Sequence, residues 1–276
     1  MKQINIFDKD LQKTEQQNCT ISILLGGDGY CFSIKDVAQD KYMLLKSFSG
    51  NYDPEDVKAK AEELMLSIWQ NPKLIKTEHL IYSNRHCLLI PPAFDEPNQL
   101  NEIIDFHFPV NFDKLTLKSR FDKYSMAYLV NHENHKKYMD VFKPEHLGNI
   151  AESFIKTALD YAEGQENDAV YVQVWKSHFD LLVIKDKQVL MFNSYRYKSG
   201  NDIVYFILNA YKQLVVSPKD AALMFSGMIE KNDNAVIHLN KFIRNMFFET
   251  LNPQKKYSYH FQDSLPHYFI HFLNIH

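Results

Sequence analysis

A short stretch near the start of the chain carries the residue types that phosphate binding needs. It lies between two apolar runs and consists of Gly26, Gly27, Asp28 and Gly29. The backbone N–H groups of a glycine-bearing turn can approach a phosphate closely, and a neighbouring carboxylate can hold Mg²⁺. The same residues also form a typical β-hairpin turn, because Asp-Gly supplies positive φ angles without steric cost. We favour the simple turn, and phosphate binding stays open as the alternative.

A group of histidines in the middle of the chain could supply metal ligands. It consists of His132, Glu133 and His135, with His146 further along. The spacing matches neither the His-Glu-x-x-His motif nor a zinc finger, and no cysteine accompanies the group. We therefore interpret it as the polar, solvated start of a helix.

A second group of histidines lies near the end of the chain. His267 and His271 are four residues apart in a predicted C-terminal helix, and His260 precedes them. The sequence shows no acidic partner for these rings. We expect them to pack beside tyrosine and phenylalanine.

Asp180 and three cysteines are the remaining candidates for reactive side chains. Asp180 interrupts an apolar strand, and its alternation with Phe179 predicts that its side chain points to solvent. Cys19, Cys31 and Cys87 form no CxxC pair, so we expect buried, reduced thiols. There is no Gly-x-Ser-x-Gly motif. The sequence therefore predicts no catalytic residue and no metal site.

Composition excludes several classes of partner. A net charge of −3 gives no general attraction to nucleic acid or to acidic membranes. The basic residues Lys118, Arg120 and Lys123 are explained as well by a protected edge strand as by a nucleic-acid stripe. No apolar run reaches the roughly 18 residues of a membrane helix, and the N-terminus lacks a signal-peptide core. We expect a cytoplasmic protein.

The predicted elements repeat one order in the two halves of the chain. Each half has three successive strands followed by a helix, and further strand and helix units come after them. The segments that set this order are Ile21–Leu25, Tyr30–Ile34, Tyr42–Phe48, a helix from Pro54, a helix over Glu145–Ala162, Ala169–Trp175, Phe179–Ile184, Val189–Tyr197 and a helix over Gly200–Leu214. Later segments are a strand over Ala222–Phe225, a helix through Val236 and Phe247, and a short C-terminal helix. Residues 1–18 are predicted to be a loosely held lead-in. The order predicts an α/β protein with mixed sheets flanked by helices.

This order resembles a family of uncharacterised bacterial proteins with an actin-like ATPase fold. The resemblance rests on the stretch from Ile21 to Ile34, the strand triplet Ala169–Tyr197, the stretch Ala222–Met228 and the ending Leu265-Pro-His-Tyr-Phe. It implies two ribonuclease-H-like lobes with mixed sheets. We expect the first lobe at residues 1–164, including a connecting helix, and the second at 165–276, with the C-terminal helix returning toward the first.

The resemblance also implies where a nucleotide would bind. Active members of the wider actin-like superfamily hold ATP between two lobes, with a glycine-bearing hairpin in each lobe and a glycine-rich turn for the adenosine. Gly26–Gly29 matches the first hairpin. The second matching turn, Trp175–Phe179, has no glycine, and the adenosine-side turn has only Gly227 beside Ser226. The resemblance therefore implies a nucleotide site that has been lost.

We predict a non-catalytic actin-like scaffold that needs no cofactor and binds another protein. The 20 phenylalanines and 16 tyrosines suit an aromatic interface, and a homodimer stays open. The alternative is weak binding of ATP and Mg²⁺ by Gly26–Gly29, Ser226 and Gly227. A ribonuclease-H-like nuclease ranks lowest, because no set of acidic residues converges on the predicted strands.

Overall fold

The computed structural model describes residues 3–27, 29–50, 53–70, 75–91, 94–95, 97–262 and 266–275. By contacts within the chain, the residues divide into two compact units. Unit 1 comprises Met1–His86, Ile90–Ile150 and Asn252–Leu265, and unit 2 comprises Cys87–Leu89, Ala151–Leu251 and Pro266–His276. The predicted lobes, with their boundary at residue 164, stay a prediction.

The main sheet of unit 1 has seven strands. They are β1 (Asn5–Phe7), β2 (Cys19–Gly26), β3 (Gly29–Asp36), β4 (Lys41–Ser49), β5 (Lys76–Ser83), β9 (His146–Asn149) and β15 (Lys256–Tyr257). Their order is β1-β4-β3-β2-β5-β9, and β15 pairs with β4. β2, β3 and β4 form an antiparallel meander, whereas β5 runs parallel to β2 and β9 runs parallel to β5. This mixture of directions is the predicted mixed sheet.

The described part of unit 1 also contains three α-helices, a hairpin and the last residue of a short strand. The helices are α1 (Pro54–Ile68), α2 (Pro97–His107) and α3 (His132–Phe142), and the hairpin consists of β7 (Lys114–Phe121) and β8 (Tyr124–Asn131). The short strand is β6 (Cys87–Ile90), whose first three residues are assigned to unit 2 and whose last residue is assigned to unit 1. The side chain of Asp53 accepts a hydrogen bond from the backbone of Glu55, and Pro54 opens α1, as the sequence predicts. The buried face of α1 includes Val57, Ala61 and Leu64.

Unit 2 is built on a five-stranded sheet. Its strands are β10 (Ala169–Val174), β11 (His178–Lys185), β12 (Gln188–Arg196), β13 (Ala222–Gly227) and β14 (Asn245–Phe248), in the order β12-β11-β10-β13-β14. β11 is antiparallel to β10 and β12, and β13 is parallel to β10 and β14. The helices are α4 (Ile150–Glu163), α5 (Gly200–Gln213), α6 (Asn234–Leu239) and α7 (Ile270–Leu273). One sheet face carries the apolar core, which includes Val172, Leu181, Phe225, Ile207 from α5 and Leu239 from α6.

Three predictions about individual elements are wrong. The helix predicted through Val236 and Phe247 stops at Leu239, and β14 follows, because Met246 and Phe248 pack on the core as alternating strand residues. The helix predicted from Glu145 begins at Ile150, since His146–Asn149 pairs with β5 as β9. The N-terminal lead-in is ordered where it is described, because β1 pairs with β4 and Leu11 is fully buried.

None of the described helices is long and apolar enough to cross a membrane.

Candidate functional site

The glycine-bearing turn of unit 1 is a tight hairpin, as predicted. Gly26 pairs with Gly29, so the turn consists of Gly27 and position 28; Asp28 itself lies outside the described residues. Gly29 has a φ of +146°, and a Cβ there would lie 2.0 Å from the carbonyl oxygen of Phe48. At Gly27 an added Cβ would meet no described atom within 4 Å. Gly29 is therefore required by the approach of β4, whereas Gly27 stands at an open tip.

The matching turn of unit 2 is filled by its own side chains. Trp175, Lys176 and Ser177 join β10 to β11, and the side chains of Trp175 and His178 are buried with their rings stacked at 6.1 Å. The backbone N–H of Trp175 donates to the carbonyl of His178 at 2.9 Å. The hydroxyl of Tyr197 donates to the carbonyl of Trp175 at 2.6 Å. These backbone groups of the turn are thus already used within unit 2.

Asp180 is buried, so the prediction that it points to solvent is wrong. Only 2% of the residue is exposed, because the face of β11 opposite the apolar core is covered as well. Its carboxylate accepts hydrogen bonds from Nε1 of Trp175, at 3.0 Å, and from the hydroxyl of Ser194. The hydroxyl of Ser194 also lies 3.9 Å from the sulfur of Cys87, a free thiol whose pKa is raised by burial. Asp180 is held as a structural acceptor.

Four polar side chains form a row across the covered face of this sheet. Strand register places Ser194 beside Asp180, Asp180 beside Gln173 and Gln173 beside Ser226. Because alternate residues of a strand point to opposite faces, this row lies opposite the core that contains Val172 and Leu181. Unit 2 therefore has a buried polar layer that the sequence did not reveal.

Ser226 ends this row against a buried histidine. Its hydroxyl lies 3.0 Å from Nε2 of His271, which is fully buried on α7. An oxygen of the buried carboxylate of Glu249 lies 2.8 Å from the same nitrogen. The expectation that His271 lacks an acidic partner is therefore wrong. Phe154 contacts the ring edge-on at 5.0 Å, which agrees with the predicted packing beside aromatic side chains.

The Ser226, His271 and Glu249 side chains do not have the geometry of a nucleophilic triad. In such a triad the serine and the acid contact opposite nitrogens of the imidazole. Here both contact Nε2, and Ser226 is only 1% exposed. The cluster anchors α7 to the sheet, and it offers no accessible nucleophile.

Gly227 has a structural reason to be glycine. Its φ is +79°, and an added Cβ would lie 2.1 Å from the carbonyl oxygen of Val174 on the neighbouring strand. The N–H of Met228 donates to that same oxygen at 2.7 Å. The conformation of Gly227 therefore lets the chain close tightly on β10.

The histidines at the start of α3 contact different partners in the structure. His132 lies 3.3 Å from Asp113, the ring of His135 contacts the hydroxyl of Tyr82 at 3.0 Å, and Glu133 pairs with Lys137 at 2.8 Å. Across the described residues, no group of three or more His, Cys, Asp or Glu side chains could hold a metal ion.

Two residues of the predicted basic stripe, Lys118 and Arg120, lie on β7, and Lys123 lies in the turn that follows it. Lys118 and Arg120 both pair with Asp95, and Lys114 pairs with Asp105. These ion pairs agree with an edge strand protected by charge.

His146 lies against another histidine, His79, with 5.1 Å between the ring centroids. Burial lowers the pKa of His79 to about 4, while Glu78 acts in the opposite direction. Nδ1 of His79 is 3.3 Å from the hydroxyl of Ser22. The neutral imidazole is therefore the form that the folded chain favours.

Unit 1 should lose stability in mild acid because of His79. An unfolded imidazole titrates near 6.5, so between pH 6.5 and about 4 the unfolded chain binds a proton that folded His79 does not. Stability then falls as the pH drops through this window, by about 2 kcal/mol. Urea unfolding of the wild type and of His79→Gln between pH 7 and pH 4.5 measures the effect, with His107→Gln, an exposed histidine, as the control. An equal pH dependence in wild type and His79→Gln would contradict this assignment.

The sequence analysis did not identify Gln173 and Ser194 of this buried polar layer, or Glu249 beside His271. The only available signal was strand register, which placed Asp180 opposite Gln173 once β10 and β11 were paired as a hairpin.

Comparisons with known proteins agree on the fold. The profile of a family described as protein of unknown function, DUF3822, matches residues 8–246. A Bacteroides thetaiotaomicron protein with an actin-like ATPase fold and unknown function aligns with a TM-score of 0.75 and 18% identity, covering 93% of this chain and 98% of that one. A chain of the PilM–PilN type IV pilus biogenesis complex aligns with a TM-score of 0.57 and 10% identity, covering 94% and 97%. No curated protein matches the sequence. The predicted actin-like, mixed α/β fold is confirmed.

Proposed function

This chain belongs to the DUF3822 family of proteins of unknown function, and we propose that it is a non-catalytic, actin-like scaffold that binds another protein. The observation that carries the proposal is the turn of unit 2 at Trp175. Active relatives are expected to bind phosphate there through bare backbone, whereas here two buried rings occupy the turn.

The surroundings of this turn argue against a nucleoside triphosphate in unit 2. Phosphate oxygens need N–H donors that point outward, and Mg²⁺ needs a carboxylate with free lone pairs. The N–H of Trp175 is bonded to His178, and both oxygens of Asp180 accept hydrogen bonds from inside the unit. The residues of this turn do not fit the group that the fold family implies.

The adenosine-side residues support the same proposal. Ser226 is buried against His271, and the space beside Gly227 is taken by the backbone of Val174. Each residue thus has a role in packing unit 2. A ligand is not needed to explain why serine and glycine occur at these positions.

A protein partner is the binding role that the surface supports. Exposed aromatic side chains in unit 2 include Tyr205, Phe242 and Phe247, and aromatic residues are enriched at protein interfaces. The PilM–PilN neighbour is itself a complex of two proteins. A homodimer stays a prediction.

We also propose the cytoplasm as the location of this chain. Cys19, Cys31 and Cys87 are free, buried thiols. Reduced cysteines of this kind are typical of a reducing compartment.

Weak Mg-ATP binding at the unit 1 hairpin is the second candidate. It rests on the open position of Gly27 next to Asp28, with Gly26 and Gly29 framing the turn. This candidate needs the hairpin alone to supply the contacts that relatives are expected to obtain from several loops.

Calorimetric titration with Mg-ATP and Mg-ADP at millimolar nucleotide distinguishes the two candidates. We expect no heat of binding and no rise in melting temperature, because two buried rings fill the turn of unit 2 and the carboxylate of Asp180 is hydrogen-bonded within the unit. Asp28→Ala and Gly27→Ala serve as site variants, since an added Cβ at Gly27 meets no described atom within 4 Å. Binding by the wild type that is lost in Asp28→Ala would overturn the scaffold proposal and establish the nucleotide candidate.

A further inference from the structure

We propose that the outer edge of β14 binds an extended, acidic and apolar segment of a partner protein as an added strand. This inference rests on the proposed function, because it assigns a surface to the partner. The surface, here called the β14 edge, consists of the outer backbone of β14 with the side chains of Lys241, Phe242, Arg244 and Phe247.

The backbone of β14 provides the first reason. β14 is the last strand of its sheet, with β13 as its single neighbour among the described residues. An edge strand presents N–H and C=O groups on its open side, and these pair readily with an extended peptide. The inner side is firmly held, because Met246 and Phe248 pack on the core of unit 2. The backbone of β14 is therefore held in position by the core of unit 2, and an added strand could pair with it without rearranging it.

Exposed aromatic side chains next to this edge provide the second reason. Phe242 is 59% exposed and Phe247 is 50% exposed. β14 is short and is preceded by Lys241 and Arg244, as protected edges are, but protection alone does not require phenylalanine in solvent. Phe247 belongs to β14, and Phe242 lies three residues before its first residue, so both suit contact with apolar side chains of an incoming strand.

The positive charge of the same segment favours an acidic partner. Residues 237–248 contain Lys241 and Arg244 and no Asp or Glu. Both cations are exposed, and neither forms an ion pair within the part of the chain that the structure describes. A partner segment with acidic side chains complements this charge. A second copy of the chain would bring two basic edges together, and their like charges would repel.

Selection from a random peptide library displayed on phage, with the purified full chain as the target, tests the proposal. The variants are Phe247→Ser and Arg244→Glu, and the matched controls on α5 are Tyr205→Ser and Lys212→Glu, which are also exposed. Circular dichroism and melting temperature check that all four remain folded. Affinities of the synthesised peptides are then measured by fluorescence polarisation at about 50 and 300 mM salt.

We expect the enriched peptides to combine Asp or Glu with aliphatic or aromatic residues. Their affinity should fall at least about tenfold in both β14 variants, stay unchanged in both controls and weaken in high salt. Three results would overturn the proposal: no enrichment, binding that the β14 variants leave unchanged, or a concentration-dependent dimer that these variants abolish, which would make a second copy the occupant. Peptides that bind at another surface would contradict the assignment of the partner to the β14 edge but would leave the scaffold proposal standing. The scaffold proposal is tested separately, by the nucleotide titration.

Discussion

Replacing Gly227 by alanine is expected to lower the free energy of unfolding by about 4 kcal/mol. The added Cβ would lie 2.1 Å from the carbonyl oxygen and 2.7 Å from the nitrogen of Val174. Both are backbone atoms of a central strand, so they cannot move aside as a flexible side chain would. The φ of +79° adds strain for any residue with a Cβ. Urea unfolding followed by circular dichroism measures the loss.

Gly164→Ala is the matched control in the same unit. Its added Cβ would lie 3.7 Å from the nearest described atom, the carbonyl oxygen of Tyr161, which is an ordinary contact. We expect it to change stability by less than about 0.5 kcal/mol. A Gly227→Ala protein as stable as this control would show that Gly227 is not required for packing, and its role as a ligand-binding glycine would have to be reconsidered. A nucleotide response measured on Gly227 variants would report unfolding, which is why Gly27 is the better binding variant.

The strand triplets were predictable because their patterns are long and consistent. β10, β11 and β12 each have six or more residues, and short polar turns separate them. β9 and β14 have four residues each, and so short a segment fits helical and strand spacing equally well. Both segments are strands because they pair with a neighbouring strand, β5 for β9 and β13 for β14. The local sequence does not report pairing with a strand that is distant along the chain.

The candidate site was predictable in part for a similar reason. The bulk of Trp175 and the lack of glycine in its turn are properties of single residues, so they could be seen directly. The contacts of Asp180 and His271 depend on which faces are covered. Alternation correctly places Asp180 opposite Phe179, but it indicates solvent only if that second face is open. The carboxylate of Glu249 reaches His271 from another element, and no sequence spacing reports that contact.

Asp180→Ala is expected to destabilise the chain by about 3 kcal/mol, because it leaves a buried donor and a half-buried donor without their acceptor. The indole N–H of Trp175 and the hydroxyl of Ser194 both donate to this carboxylate. Asp180→Asn should cost only about 1 kcal/mol, since its amide oxygen can still accept from Trp175 and Ser194 can rotate to accept from the amide nitrogen. Asp160→Ala, at an exposed position of α4, is the control and should be nearly neutral.

This series separates a structural carboxylate from a metal-binding one. A carboxylate that served Mg²⁺ would tolerate alanine in the absence of metal, and the stability of the wild type would change when Mg²⁺ and nucleotide are added. The hydrogen bonds to Trp175 and Ser194 predict the opposite, a loss in Asp180→Ala that is the same with and without both ligands. Urea unfolding in the two conditions decides between them. Equal stability of Asp180→Ala and wild type in plain buffer would contradict the structural role and would remove one of the arguments for a scaffold that does not bind nucleotide.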